Sequence, residues 1–193
     1  YDIGQVAREA GAFDLSEKYF RTAIGLMHGR KPWRWNNSLS ILSTVAACHN
    51  LLGIQYDNAG RLGDAVTSYD EAIKLRRELR QLFPKDRQNE VYLGEALCNR
   101  GHVSVKQNAR AAAMEYYKQS LDVLRQPRKT CECSYWDEER QSWWCETLES
   151  IGETLGLEWV AQAPQFIDIA YTELTWLESE NSNKATEDGL ADE

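Results

Sequence analysis

Long apolar runs are missing from this sequence, and none approaches the ~20 residues that a membrane-spanning helix requires. A basic-then-apolar leader is also missing, and the first residue is Tyr1 rather than methionine. We therefore expect a chain that does not insert into a membrane. We interpret it as a fragment or processed piece of a larger protein.

Positive charge is scarce as well, because 22 Lys and Arg face 30 Asp and Glu for a formal net charge of -8. Nucleic-acid binding needs a concentrated basic face, so we expect no nucleic-acid partner. The one basic cluster lies in the last turns of a predicted helix, where cations complement the helix dipole and face water. It consists of Lys74, Arg76, Arg77 and Arg80.

The five cysteines are odd in number and, apart from Cys131 and Cys133, widely spread, which does not fit the disulfide framework of a small secreted domain. Cys48 and Cys98 fall in amphipathic helical stretches, where a free cysteine acts as a small hydrophobic residue. A cytoplasmic location is expected. Cys131, Cys133 and Cys145 could supply zinc ligands or a redox centre, but the close pair is C-x-C and no histidine lies nearby. Ordinary thiols are favoured, with no metal and no cofactor.

Catalytic motifs are equally missing. The sequence has no glycine loop for phosphates, no H-E-x-x-H and no nucleophile elbow. We expect no enzyme activity.

What the sequence does contain is a threefold repeat built on Gly4, Gly53 and Gly101. Each glycine is followed by a small residue twelve positions on, an aromatic residue sixteen positions on and another small residue nineteen positions on. The three sets are Ser16, Phe20 and Ala23; Ala65, Tyr69 and Ala72; and Ala113, Tyr117 and Ser120. Small residues let two helices approach closely and the aromatic ring fills the space between them, so each set predicts a packed helix pair.

The middle copy, Leu52-Gly53-x-x-Tyr56 followed by Ala65, Tyr69 and Ala72, resembles the tetratricopeptide repeat family. The resemblance implies an all-α fold, a right-handed α-α superhelix of antiparallel helix pairs. These repeats normally recur every 34 residues, whereas the glycines here are 49 and 48 residues apart. The extra length equals about four helical turns and predicts longer helices, similar to arrays in bacterial signalling proteins.

We divide the chain into three parts on this basis. Residues 1–127 hold three tetratricopeptide-like units, the first truncated at its N-terminus. Residues 128–179 hold a degenerate fourth unit and capping helices, predicted over 137–161 and 164–179. Residues 180–193 form a disordered acidic tail.

Seven tryptophans is a high number for this length. Those in the C-terminal third are expected to fill the junction with the cap. Trp33 and Trp35 flank Arg34 in a predicted loop and form a candidate exposed patch, since tryptophan and arginine are frequent in interface hot spots.

The resemblance implies that a protein or peptide partner binds the concave groove lined by the first helix of each unit. Its groove-facing positions are Gln5, Arg8, Ala47, Asn50, Ile54, Asp57, Glu95, Cys98, His102 and Val105. Some family members clamp the C-terminal carboxylate of chaperones. Glu95 and Leu51 stand where two basic or amide residues of that clamp are expected, and only Asn99 is retained, so we expect a different ligand.

The predicted function is therefore that of a protein-protein interaction module, a scaffold or regulatory segment of a larger protein. Two alternatives stay open. One is a self-assembly element that forms homo-oligomers through exposed repeat ends. The other is a metal or redox sensor built on Cys131, Cys133 and Cys145.

Overall fold

A computed structural model describes residues 1–28, 38–84, 86–124, 135–137, 142–144 and 165–180. Seven helices and one two-stranded antiparallel sheet lie within these ranges. In chain order they are α1 (Asp2–Glu9), α2 (Phe13–His28), α3 (Ser38–Asn58), α4 (Leu62–Leu82), α5 (Arg87–Lys106), α6 (Arg110–Leu124), β1 (Tyr135–Asp137), β2 (Ser142–Trp144) and α7 (165–180). Each helix from α1 to α6 packs on the next, so the predicted helical solenoid is confirmed.

The residues at the repeated glycine and aromatic positions form contacts that hold each helix pair together. A Cβ added at Gly4, Gly53 or Gly101 would lie 2.7, 2.6 or 2.8 Å from the ring of the aromatic residue sixteen positions on. These rings belong to Phe20, Tyr69 and Tyr117, and none is more than 2% exposed. Burial of such a side chain contributes roughly 1.5–3 kcal/mol. The glycine has no side chain, so the aromatic ring can pack directly against the backbone of the first helix.

A further repeated feature turns the chain between the two helices of each pair. Gly11, Gly60 and Asn108, each seven residues after a repeat glycine, have positive φ angles of 73°, 72° and 59°. The residue after each donates a 2.8 Å hydrogen bond to the carbonyl five residues earlier, as in Ala109 N to Ser104 O. This is the Schellman closure of a helix end, which favours glycine or asparagine at the left-handed position.

Neighbouring pairs pack through the second helix of one and the first helix of the next. Across the α2–α3 junction, Gln55 Nε2 donates a 2.7 Å hydrogen bond to Ser16 Oγ, and both side chains are buried. Asp86 begins α5, where its carboxylate accepts a 3.2 Å hydrogen bond from Asn89 N. With 21, 21 and 20 residues, α3, α4 and α5 have the extra turns that the wide glycine spacing predicts.

The last described helix, α7, coincides with the helix predicted over 164–179. Ile167, Ala170 and Leu177 are buried in one cluster with residues of α5 and α6. Cys98 of α5 belongs to that cluster. It occupies the repeat position of Asn50, which contacts the first helix of the following pair. Thus α7 lies where the first helix of a further pair would lie, and it covers that end of the array.

The prediction of a helix over 137–161 is wrong at Asp137 and at Ser142–Trp144, because these residues lie in the paired strands β1 and β2. The two strands are antiparallel, with Tyr135 opposite Trp144 and Asp137 opposite Ser142. Aromatic residues favour strands, and this stretch is rich in them. The rest of that predicted helix lies outside the described residues, as does the predicted tail from residue 181. None of the described helices is both long enough and apolar enough to cross a membrane.

Candidate functional site

A concave pocket of about 460 Å³ lies where three first helices, α1, α3 and α5, meet the second helix α4. Each first helix contributes side chains, and two buried residues of α4, Ala72 and Arg76, close the inner side. The lining residues are Tyr1, Gln5, Arg8, Glu9, Ser43, Thr44, Ala47, Asn50, Leu51, Ile54, Ala72, Arg76, Gln88, Tyr92, Glu95 and Ala96. Most of these side chains are polar, so the pocket offers hydrogen bonds more than apolar contact.

Arg76 is held firmly against the pocket although it is charged and only 4% exposed. Nη1 donates to Ser43 Oγ at 3.0 Å and to Asn89 Oδ1 at 3.4 Å, and Nη2 donates to Ser43 O at 3.4 Å. Its Cζ lies 4.8 Å from the centroid of the Tyr92 ring. Desolvation by burial lowers the pKa of Arg76, an effect that the charge of Glu95 partly offsets.

Glu95 and Asn50 join α5 to α3 at this pocket. Asn50 Nδ2 donates a 2.9 Å hydrogen bond to Glu95 Oε1. Burial raises the pKa of the Glu95 carboxyl, and the hydrogen bond from Asn50 and the charge of Arg76 only partly oppose that shift. Two polar atoms at the pocket, Asn50 Oδ1 and Arg8 Nε, are buried with no hydrogen-bond partner in the described part of the chain.

The structure brings together the following predicted groove residues as pocket lining: Gln5, Arg8, Ala47, Asn50, Ile54 and Glu95. They come from three different first helices that are up to 90 residues apart in sequence. The repeat spacing therefore placed them on one surface.

Other predicted groove residues lie elsewhere. Cys98 is 3% exposed in the core that α5 and α6 form with α7, and Val105 packs against the same core. Asp57 accepts 2.8 Å hydrogen bonds from Lys106 Nζ, which tie α3 to α5. His102 is exposed on α5 and does not line the pocket.

Two sets of predicted residues lie outside the described ranges. These are the candidate patch of Trp33, Arg34 and Trp35, and the cysteines Cys131, Cys133 and Cys145. Among the residues that are described, no three His, Cys, Asp or Glu side chains are placed to hold a metal ion. The patch and the sensor hypothesis stay predictions.

Arg76 and Tyr92 are site residues that the sequence did not single out. Arg76 was expected to face water with its basic neighbours, and that prediction is wrong. Within α4, Ala72, Ile73, Arg76 and Leu79 are all buried, so Arg76 lies on the inward stripe of this helix. Its spacing from Ala72 and Leu79, three to four residues on each side, was the available signal.

Comparison with curated proteins finds none that matches the chain. Comparison with protein-family models gives one match. Residues 94–123, which form most of α5 and α6, match the family model of the tetratricopeptide repeat. Repeats of this family are generally protein-protein interaction modules without catalytic activity. The predicted resemblance to the tetratricopeptide repeat is confirmed over these residues, which lie in the third helix pair.

Proposed function

We propose that the chain holds an extended peptide or a helix of a protein partner in the concave pocket between α1, α3 and α5. The observation that carries this proposal is the pocket itself, to which three successive first helices contribute predicted groove residues. A surface shared by several units can follow a partner segment over more than one residue.

The mixed lining supports a peptide rather than a purely apolar ligand. Ile54 and Leu51 offer apolar contact, while Gln5, Asn50 and Thr44 offer hydrogen-bonding groups. A peptide presents both kinds of group, because its main chain supplies donors and acceptors and its side chains supply apolar surface.

Partner retention by matched variants tests the proposal. The chain is immobilised beside its Asn50→Ala and His102→Ala variants. Asn50 lines the pocket, whereas His102 is exposed on α5 outside it. Asn50→Ala should lower recovery of a retained protein at least about tenfold, which corresponds to about 1.4 kcal/mol. His102→Ala should leave recovery unchanged. Equal recovery by the two variants would move the binding site away from the pocket.

A role as a scaffold or regulatory segment of a larger protein fits this binding mode, since the chain is expected to contribute contacts rather than chemistry. A cytoplasmic location fits the thiols of Cys48 and Cys98, which are free and buried. Reduced cysteines are the rule in that compartment.

Self-assembly is a second candidate function, favoured by the outer edge of α1. Ile3 and Val6 are 61% and 65% exposed there. At the same repeat positions, Leu52 is 3% exposed and Gln55 and Val103 are 7% and 0% exposed, because the preceding helix pair covers them. An apolar edge of this kind can associate with another surface.

Light scattering over a concentration series tests this candidate. A homo-oligomer should appear with increasing concentration, and the double variant Ile3→Ser/Val6→Ser should abolish it. Leu26→Ser is the matched control, because Leu26 is 68% exposed on α2. A constant monomer mass in the unchanged chain would exclude self-assembly through this edge.

A further inference from the structure

A separate cleft of about 300 Å³ is bordered by the second helices α2 and α4 and by the first helix α3. None of the residues that line it also lines the concave pocket. Ile24 of α2 and Leu52 of α3 form its apolar part, while His49 of α3 and Ser68 of α4 contribute polar groups. The cleft is therefore a second surface, located at the junction between the first and second helix pairs.

At the next junction, between the second and third helix pairs, an aromatic ring occupies the corresponding place. Tyr116 of α6 is partly buried and packs against a cluster that contains Ile73 of α4 and Leu97 of α5. By the repeat spacing, Ile73 corresponds to Ile24 and Leu97 corresponds to His49. Both corresponding residues line the cleft. The tyrosine ring thus packs on the positions that are left open one junction earlier.

The second helix pair lacks this ring. Tyr116 lies fifteen residues after Gly101, whereas the residue fifteen positions after Gly53 is Ser68. On the α2 side the cleft is lined by Gly25, and no atom lies within 4 Å of a Cβ added there. A serine and a glycine therefore leave a space that a phenol ring fills at the following junction.

The charges around the cleft favour a neutral ring. Asp64 and Glu71 of α4 line it and would repel an anion. Arg21 lines it as well, but its Nε donates a 2.8 Å hydrogen bond to Glu17 Oε1, so its charge is already paired. The hydroxyl of Ser68 can donate a hydrogen bond to a phenol oxygen or accept one from it.

We propose that this cleft binds the side chain of a tyrosine from a protein partner. The ring takes the place that Tyr116 takes at the next junction. A free small phenol offers the same ring, but Gly25, Asp64 and Thr67 of the lining are exposed. The open rim leaves room for the main chain that carries a tyrosine. The inference goes beyond the proposed function, because the two surfaces share no residue.

Four small probes test the proposal, and the main-chain amide resonances of Gly25 and Ser68 report binding in two-dimensional NMR spectra of the whole chain. Acetyl-tyrosinamide presents the ring between two peptide groups, and p-cresol presents it alone. Acetyl-phenylalaninamide lacks the hydroxyl, and acetyl-phosphotyrosinamide adds negative charge. We expect saturable shifts with acetyl-tyrosinamide at an affinity no lower than that of p-cresol. The other two probes should bind at least about threefold more weakly.

Variants that fill the cleft from within provide the matched comparison. Ser68→Tyr supplies the ring that the third pair has at this position and should abolish binding of acetyl-tyrosinamide. Ser68→Ala leaves the cleft open and should weaken binding by no more than about threefold. Gly25→Leu fills the cleft from α2 and should weaken binding at least about tenfold, which keeps the test valid if Ser68→Tyr does not fold. Circular dichroism checks that each variant is folded.

The proposal is overturned if acetyl-tyrosinamide gives no saturable shift, or if folded Ser68→Tyr or Gly25→Leu binds it as tightly as the unchanged chain does. Tighter binding of acetyl-phosphotyrosinamide would also overturn it, because the cleft would then be an anion site. Binding of p-cresol without binding of acetyl-tyrosinamide would contradict a protein partner as the source of the ring. Partner retention by Asn50→Ala reports on the concave pocket alone, so failure of either experiment leaves the other proposal standing.

Discussion

Asn50 and Glu95 lie 45 positions apart in sequence, and Asn50 Nδ2 donates a 2.9 Å hydrogen bond to Glu95 Oε1 at the edge of the pocket. The bond joins the first helices of two neighbouring pairs. It also holds a carboxylate in a partly buried position that raises its pKa. The pocket therefore contains a carboxyl group whose ionised form the fold disfavours.

Glu95→Gln is expected to stabilise the protein at neutral pH. The raised folded-state pKa means that the ionised carboxyl destabilises the fold at pH values above that pKa. Below the unfolded-state pKa of about 4.3 both states are protonated, so the effect disappears. Urea denaturation at pH 7.5 and pH 4 should show a gain at the higher pH that shrinks at the lower one.

Glu78→Gln is the control for this prediction, since Glu78 is an exposed residue of α4. An equal change in stability for the two variants, or a Glu95→Gln gain that grows as the pH falls, would contradict burial as the cause.

Gly53→Ala is expected to destabilise the protein. The new methyl group would lie 2.6 Å from Tyr69 Cε1, and the ring is buried and cannot move away freely. Overpacking of this kind costs about 1–3 kcal/mol of unfolding free energy. Gly63→Ala is the matched control, because no atom lies within 4 Å of its added Cβ in α4. It should be neutral or slightly stabilising in the same chemical denaturation experiment. Equal losses of unfolding free energy in the two variants would contradict the close contact between Gly53 and the Tyr69 ring as the reason for glycine at this position.

Gly60→Ala tests the turn within the second helix pair. Gly60 has a φ of 72° and nothing within 4 Å of an added Cβ, so only the backbone conformation opposes the change. The expected loss is about 1–2 kcal/mol. Asn108 has the equivalent left-handed conformation in the third pair, and Asn108→Gly should be neutral or mildly stabilising. The two changes are compared by thermal unfolding, and a neutral Gly60→Ala would contradict the turn assignment.

Slow alkylation of Cys48 and Cys98 is expected in the folded state. Desolvation by burial raises the pKa of Cys48 to about 11, and burial followed by the charge of Glu173 raises that of Cys98 to about 12. Thiolates are therefore scarce at pH 8. Iodoacetamide labelling followed by mass spectrometry should show little modification until urea unfolds the chain. Replacing the other three cysteines by serine isolates these two, and rapid labelling of the folded protein would contradict their burial.

The repeat could be read from sequence because its contacts are short in range. Gly53 and Tyr69 lie sixteen residues apart, and a helix–turn–helix brings such positions together whatever the rest of the chain does. The same short-range logic placed Gln5, Asn50 and Glu95 on one surface, since each occupies the first helix of its own pair.

The position of α7 could not be read in this way. Cys98 was expected to face the groove, but residues 165–180 pack over it, about 70 residues later in the chain. No repeated sequence position relates Cys98 to residues 165–180. Arg76 was misassigned for another reason. A run of basic residues is usually a solvated face, and only the helical spacing of its apolar neighbours places this one side chain inward.

Site-specific photo-crosslinking tests most directly whether the pocket holds the partner. A photoreactive phenylalanine analogue replaces Gln88, which is exposed and lines the pocket, or Glu115, which is exposed on α6 outside it. Irradiation of the chain with its cellular partners should give a covalent protein adduct from position 88 and none from position 115. An adduct from position 115 alone, or equal adducts from both positions, would contradict a binding site in the concave pocket.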